Sequence, residues 1–168
     1  MWFERLDAGL LLVKGALLSM EKVKILFLAA NPVNTSPLRL DEEIRAIDDA
    51  LLRARFGERF DLQQHWAVRA SDVQMCLLRH DPDIVHFSGH GSPTSELVLQ
   101  NERGDRHFVR PDALGQLFAI LKDNIRCVVL NACYSEPQAQ AIAEHIDCVI
   151  GMTRAIDDIA ADLTVNQE

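Results

Sequence analysis

Two residues in this chain have the types and the setting to do chemistry together: His90 and Cys133. His90 lies in Ile84-Val85-His86-Phe87-Ser88-Gly89-His90-Gly91, an apolar run of strand length that leads into a glycine-flanked turn. Cys133 closes Cys127-Val128-Val129-Leu130-Asn131-Ala132-Cys133, a second apolar run that ends in a thiol. A free thiol is mostly protonated at neutral pH, so a nucleophilic cysteine needs help to ionise. Here there are two sources. A helix is expected just after Cys133, and amides at its start favour a thiolate. If the two strands are near neighbours, the imidazole of His90 can also take the proton. Gly89 and Gly91 would let the turn adopt unusual dihedrals and bring backbone close to a substrate. The N–H groups of Gly91 and Cys133 could then face a developing oxyanion.

Each half of this pattern is weak alone, because glycine turns often carry a solvated histidine and cysteines in α/β cores are mostly inert. His86 stands four residues before His90, a spacing that suggests metal ligation on a helix. On a strand running into a turn the two need not share a face, so His86 is read as a strand residue with a hydrogen-bonding role. Zinc held by His86, His90 and Cys133 is the weaker alternative, and no metal is expected.

The elements that must position the pair follow from pattern. Val23 to Ala30 is apolar without alternation, as in a central strand covered on both faces, and Asn31-Pro32 stops it. Ser36 and Pro37 read as the cap and first residue of a helix in which Leu40, Ile44, Ile47 and Leu51 form one face, ending near Gly57. Phe60 to Val68 is a weaker strand, nearer an edge. Ser71-Asp72-Val73-Gln74 reads as a capping box, and Asp81-Pro82 ends that helix. After the strand Asp83 to Ser88, Glu96 to Gln100 and His107 to Val109 flank a glycine-containing turn and read as a β-hairpin. Pro111-Asp112 opens a helix that Asn124 closes, and the strand Cys127 to Asn131 follows. Ser135-Glu136-Pro137-Gln138 reads as another capping box, opening a helix to His145. Cys148 to Met152 is a fifth strand. The order β-α-β-α-β-hairpin-α-β-α-β predicts a three-layer α/β domain with a mostly parallel central sheet and an inserted β-hairpin. In such folds chemistry gathers beyond the carboxyl ends of the strands, where His90 and Cys133 both fall.

Bulk properties narrow the function. At 168 residues the chain is long enough for one domain with a proper core. A net charge of −8 argues against a nucleic-acid or acidic-membrane partner, either of which wants a basic face. Of the four cysteines, Cys76, Cys127 and Cys148 sit in apolar runs, where a thiol behaves as a small hydrophobe, and no CxxC spacing occurs. The reading is a reducing, cytoplasmic protein. No GxSxG, GxGxxG or Walker A pattern is present, which disfavours a small-molecule hydrolase or nucleotide binder, and no cofactor is expected. Residues 1–19 read as an added amphipathic helical extension rather than a signal peptide or span, since Lys14 interrupts the apolar run and Glu4 and Asp7 precede it. A natural start at Met20 is the alternative, with 20–168 as the domain.

His86-Phe87-Ser88-Gly89-His90-Gly91 and Leu130-Asn131-Ala132-Cys133 together resemble the CHAT domain of bacteria. That is a caspase-like protease domain, in the clan that also holds caspases, metacaspases, separases and gingipains. The resemblance extends from about Val23 to Ala161 and includes Ile25 to Pro32, the helix from Leu38 with Glu43, the hairpin and Val149-Ile150-Gly151-Met152. It implies a caspase-like fold and peptide-bond hydrolysis by a Cys–His dyad. By that match Cys133 is the nucleophile, His90 the general base and acid, and the Gly91 and Cys133 amides the oxyanion hole. The implied partners are a protein or peptide substrate and a regulatory domain or chain. The chain departs from the family after Ala161, so the domain is expected to be incomplete at its C-terminal end. Asp158 is the candidate for a pocket that reads a basic residue before the cleaved bond, set against a solvated acid at a helix start. The competing function is a non-catalytic binding or regulatory module on the same fold.

Overall fold

Strand β1, Val23–Ala29, is the centre from which the rest is built, with Leu26 and Phe27 fully buried. The computed structural model describes residues 21–153. The expected extension over 1–19 and Asp158 both lie outside the described residues. After β1 come α1 (Leu40–Arg53), a single 3-10 turn, β2 (Phe60–His65), α2 (Ala70–His80) and β3 (Ile84–Ser88). Then follow the short β4 (His90–Gly91), β5 (Leu97–Gln100), β6 (Arg106–Val109) and α3 (Pro111–Leu121). Strand β7 (Cys127–Asn131), α4 (Glu136–Ala143) and β8 (Cys148–Ile150) complete the described chain.

Five strands form one parallel sheet in the order β2-β1-β3-β7-β8. Alternation along each strand sorts its side chains to two faces. Leu26, Leu28, Val85, Phe87, Val128 and Leu130 point to one face and meet Val73 and Leu77 of α2, Leu114 and Phe118 of α3, and Ile142 of α4. Phe27 and Ala29 point to the other, against Leu40 and Ile44 of α1. The three-layer α/β expectation with a parallel sheet therefore holds, and β1 lies inside the sheet as its unbroken apolar run requires. Among the described residues, no helix is long and apolar enough to cross a membrane.

The hairpin is present as β5 and β6, in antiparallel register from Leu97↔Val109 to Gln100↔Arg106. It is larger than expected, because β4 adds to it through His90↔Val98 and Gly91↔Leu97 and makes a separate three-stranded sheet. Helix starts differ from the local capping patterns. Helix α1 begins at Leu40 rather than Pro37, because Asn31 holds the backbone of Leu38 from both sides. Its Oδ1 accepts from Leu38 N at 3.3 Å and its Nδ2 donates to Leu38 O at 3.1 Å. Helix α2 begins one residue before the expected box, with the Asp72 carboxylate accepting from Arg69 N at 3.0 Å. Ser135 caps nothing with its side chain, since its hydroxyl is buried and bridges Leu130 O to Met152 N.

Phe27→Ala should destabilise the fold by about 3–5 kcal/mol, the cost of a cavity at a fully buried aromatic site. Urea unfolding followed by tryptophan fluorescence measures it, and a loss under about 1 kcal/mol would contradict this account of the core.

Candidate functional site

Strands β3 and β7 are immediate neighbours, paired from Ile84↔Cys127 to Ser88↔Asn131. Their carboxyl ends therefore leave the sheet side by side, and Gly89 N continues the ladder by donating to Asn131 O at 3.2 Å. The next residues are His90 on one chain and, after Ala132, Cys133 on the other. The two segments then pass at closest approach. A Cβ on Gly91 would lie 1.7 Å from the Cys133 carbonyl oxygen and 2.8 Å from its carbon. No side chain fits there, so glycine is required at 91 by contact. It is not required by dihedral angle, since Gly104 is the only glycine with positive φ among the described residues. Gly89 is confined in the same way, its missing Cβ falling 2.8 Å from Ala30 O and 2.9 Å from the Phe87 ring. The expectation of unusual turn dihedrals is thus replaced by one of close backbone approach.

The His90 ring is held from the other side. Its Nε2 meets Ser36 O at 2.9 Å. A carbonyl oxygen only accepts, so Nε2 carries the proton and Nδ1 keeps the free lone pair. Burial pushes the His90 pKa below its ordinary 6.5, only partly opposed by the Ser36 hydrogen bond, so the imidazole stays neutral at physiological pH. Among the described hydrogen bonds none joins His90 to the partly exposed Cys133 thiol. Ser36 was read from sequence as a helix cap. Its part here depends on the loop from Asn31 to Arg39 crossing over β3, which no local pattern announces.

Two backbone amides near the strand ends are left out of the ladders. Ser92 N donates to Glu96 O at 2.8 Å, which sets the antiparallel ladder so that the Gly91 N–H points away from β5. The Cys133 N–H makes no backbone hydrogen bond among the described residues. Helix α4 does not begin immediately after Cys133. Tyr134, at φ 54°, and Ser135 intervene, and the Glu136 amide is already committed to Met152 O at 3.1 Å.

Beneath the pair lies a polar cluster. Glu43 of α1 accepts at Oε1 from His86 Nε2 and from Asn131 Nδ2, both at 2.8 Å, and at Oε2 from the Ser88 hydroxyl. Burial raises the Glu43 pKa, but the hydrogen bonds from His86, Ser88 and Asn131 and the charge of His86 outweigh it, leaving the group below its ordinary 4.5. His86 also stacks on Phe27, ring centroids 5.3 Å apart. It thus has the hydrogen-bonding role read for it, turned toward α1 rather than toward His90. Glu43 was not recognised as a site residue. Its signal was a carboxylate three residues after Leu40, on the buried stripe of α1, facing strands that carry His86, Ser88 and Asn131 in otherwise apolar runs. Gln138 was also missed. It is fully buried in α4 and donates to Ser95 O at 2.7 Å, tying the segment after Gly91 to the helix after Cys133. A surface depression of about 830 Å³ lies at the opposite end of the sheet around Lys24, Asp81 and Arg126, away from both residues.

A chain that gathers these groups at the ends of two parallel strands has relatives. The CHAT domain family model matches residues 18–157. A protein named "Probable protease" from Gillisia limnaea is 26% identical over 150 residues, covering 86% of this chain and 26% of the relative. A "Roc-COR-CHAT protease" from an unknown prokaryotic organism is 25% identical over 147 residues, 82% of this chain and 14% of the relative. Another of that name, from Runella zeae, is 25% identical over 129 residues, 76% and 13%. The chain thus spans about a quarter or less of the length of the curated relatives it matches.

Glu43→Gln should cost about 1–3 kcal/mol at neutral pH, because one of the carboxylate's acceptor oxygens is replaced by a donor facing donors. A carboxyl with a lowered folded pKa contributes stability fully above its unfolded value and loses it as pH falls through the folded one. The gap between parent and variant should therefore narrow below pH 4.5. Urea titrations at several pH values read this directly. A gap that widens on acidification would contradict it. Gly91→Ala should lower the thermal midpoint and raise the rate at which iodoacetamide alkylates Cys133, since β4 must retreat from the Cys133 carbonyl.

Proposed function

The chain belongs to the CHAT domain family, and from that premise we propose that it is a cysteine endopeptidase in which Cys133 is the nucleophile and His90 the general base and acid. The observation that carries this reading is the approach of Gly91 to Cys133, which leaves no room for a side chain between the histidine-bearing turn and the cysteine-bearing strand end. The names of the relatives support the reaction class.

The chemistry follows from the groups present. With Nε2 donating to Ser36 O, Nδ1 is the basic nitrogen and takes the Cys133 thiol proton. The thiolate adds to the carbonyl carbon of the scissile peptide, and the oxygen that becomes negative is received by the Gly91 and Cys133 amides. The imidazolium then gives its Nδ1 proton to the departing amine, leaving a thioester on Cys133. Water enters, His90 removes its proton, and collapse releases the acid and restores the thiol. Ser36 acts by holding the ring in one tautomer without adding a charge. The carbonyl accepts from Nε2 in both the neutral and the protonated ring. Glu43 acts one layer below, by tying the ends of β3 and β7 to α1. The substrate is a protein or peptide. Because the chain covers only a small part of each matched relative, a regulatory domain or partner chain is part of the proposal.

The test is cleavage of a peptide library by the purified chain. Cys133→Ala should abolish turnover, and His90→Ala should reduce kcat/KM by about 1000-fold or more. The acid limb of kcat/KM should fall below pH 6.5, because the buried His90 stays neutral to lower pH than a free imidazole. Peptide binding that persists without cleavage, unchanged in Cys133→Ala, would instead identify a binding module.

A further inference from the structure

Cys127 and Cys148 lie away from the site just described, on the first residues of β7 and β8, and they are register partners. Val128 and Leu130 of β7 point into the core, so alternation sends Cys127 to the opposite face. Cys148 points the same way, and the two sulfurs are 3.1 Å apart. Adjacent strands are separated by about 4.8 Å, inside the roughly 4.4–6.8 Å of Cα separation that a disulfide spans. The spacing of register partners therefore suits a cross-strand bond. Cys148 is exposed on the outermost described strand, whereas Cys127 is partly buried. Cys76, by contrast, is buried in the core and has no thiol facing it. The reading of Cys127 and Cys148 as core hydrophobes is corrected by this placement.

We propose that Cys127 and Cys148 are a redox modification site, closing a reversible cross-strand disulfide by exchange with a small-molecule disulfide of the glutathione class. The inference does not rest on the peptidase reading. In the first step the accessible Cys148 thiolate attacks one sulfur of the small disulfide, forming a mixed disulfide and expelling one small thiolate. In the second, the Cys127 thiolate attacks the Cys148 sulfur, closing the cross-strand bond and expelling the other. The two protein thiols are oxidised, the small disulfide is reduced to two thiols, and the two protons end on those thiols. Burial, the Cys148 hydrogen bond and the Cys148 charge push the Cys127 thiol up to about 11. Only burial persists once Cys148 is in mixed linkage, so Cys127 acts as the resolving thiol and not as the first attacker.

The bond would reach beyond its own strands. Strand β8 is three residues long and, among the described residues, forms one edge of the sheet. Just past it, Met152 N donates to Ser135 Oγ at 2.9 Å and Met152 O accepts from Glu136 N at 3.1 Å. Fastening β8 to β7 therefore fastens the strand that anchors the segment following Cys133.

The experiment uses the full chain carrying Cys133→Ala, which removes the third reactive thiol. It is incubated with oxidised glutathione and then alkylated. Cleavage after glutamates should yield the peptides bearing Cys127 and Cys148 joined, lighter than their sum by the two thiol hydrogens. The thermal midpoint should rise by about 5–10 °C, and dithiothreitol should reverse both changes. Cys148→Ser should take up no glutathione, form no joined peptide and show no shift. A glutathione adduct that persists on Cys148, a link made through Cys76, no reaction, or a joined species with an unmoved or lowered midpoint would each overturn the proposal.

Discussion

The contact between the Gly91 backbone and the Cys133 carbonyl is the constraint on which the rest depends. Two strand ends in a parallel sheet are ordinarily about 4.8 Å apart and diverge as their loops leave in different directions. Here they stay together past the sheet. The Gly89–Asn131 hydrogen bond extends the ladder by one rung, and glycine at 91 removes the atom that would otherwise push the chains apart. The His90 turn is further anchored outside the parallel sheet. Pairing of β4 with β5 carries it into a second sheet, and the turn joining those two strands is held to α4 by the buried Gln138. The histidine therefore sits on a junction between two sheets and not on a free loop, which limits how far it can move relative to Cys133.

Such a junction brings polar groups into the interior, and the cluster around Glu43 is how the fold accommodates them. His86, Ser88 and Asn131 all point to the α1 face of the sheet, where unpaired donors would each incur a desolvation cost. One carboxylate accepts from all three. The arrangement has a second consequence, since the donors come from β3 and β7 and the acceptor from α1. A single ionised side chain thereby links the two strands whose ends carry His90 and Cys133 to the helix that follows the Ser36 loop. The pieces that hold the histidine ring and the cysteine strand share one anchor.

The two faces of the sheet are unequal. On one face α2, α3 and α4 cover β1, β3 and β7 with a continuous apolar core. On the other, among the described residues, α1 packs over Phe27 and Ala29, and β8 leaves Cys148 and Ile150 exposed. The asymmetry puts two cysteines of one segment in different surroundings. Cys127 opens β7 on the more open face, while Cys133 follows its end at the junction with β4.

The sequence by itself determined the architecture. Unbroken apolar runs placed β1, β3 and β7 inside a parallel sheet, and their alternation with helical patterns required crossovers, because parallel strands cannot be joined by tight turns. It also singled out His90, Gly91 and Cys133, weak signals taken one at a time, because both segments fall just past the carboxyl ends of predicted parallel strands. Helix starts were less legible. Asn31, Ser36 and Ser135 bond to partners distant in sequence or across a loop, and that competition overrides the capping patterns read locally. Only the tertiary structure decided that glycine at 91 answers to a close contact, that the Ser36 carbonyl sets the His90 tautomer, that Glu43 joins two strand ends, and that Cys148 faces Cys127. Each of these is a meeting of residues far apart along the chain, and local propensity carries no information about which distant groups the sheet register will bring face to face.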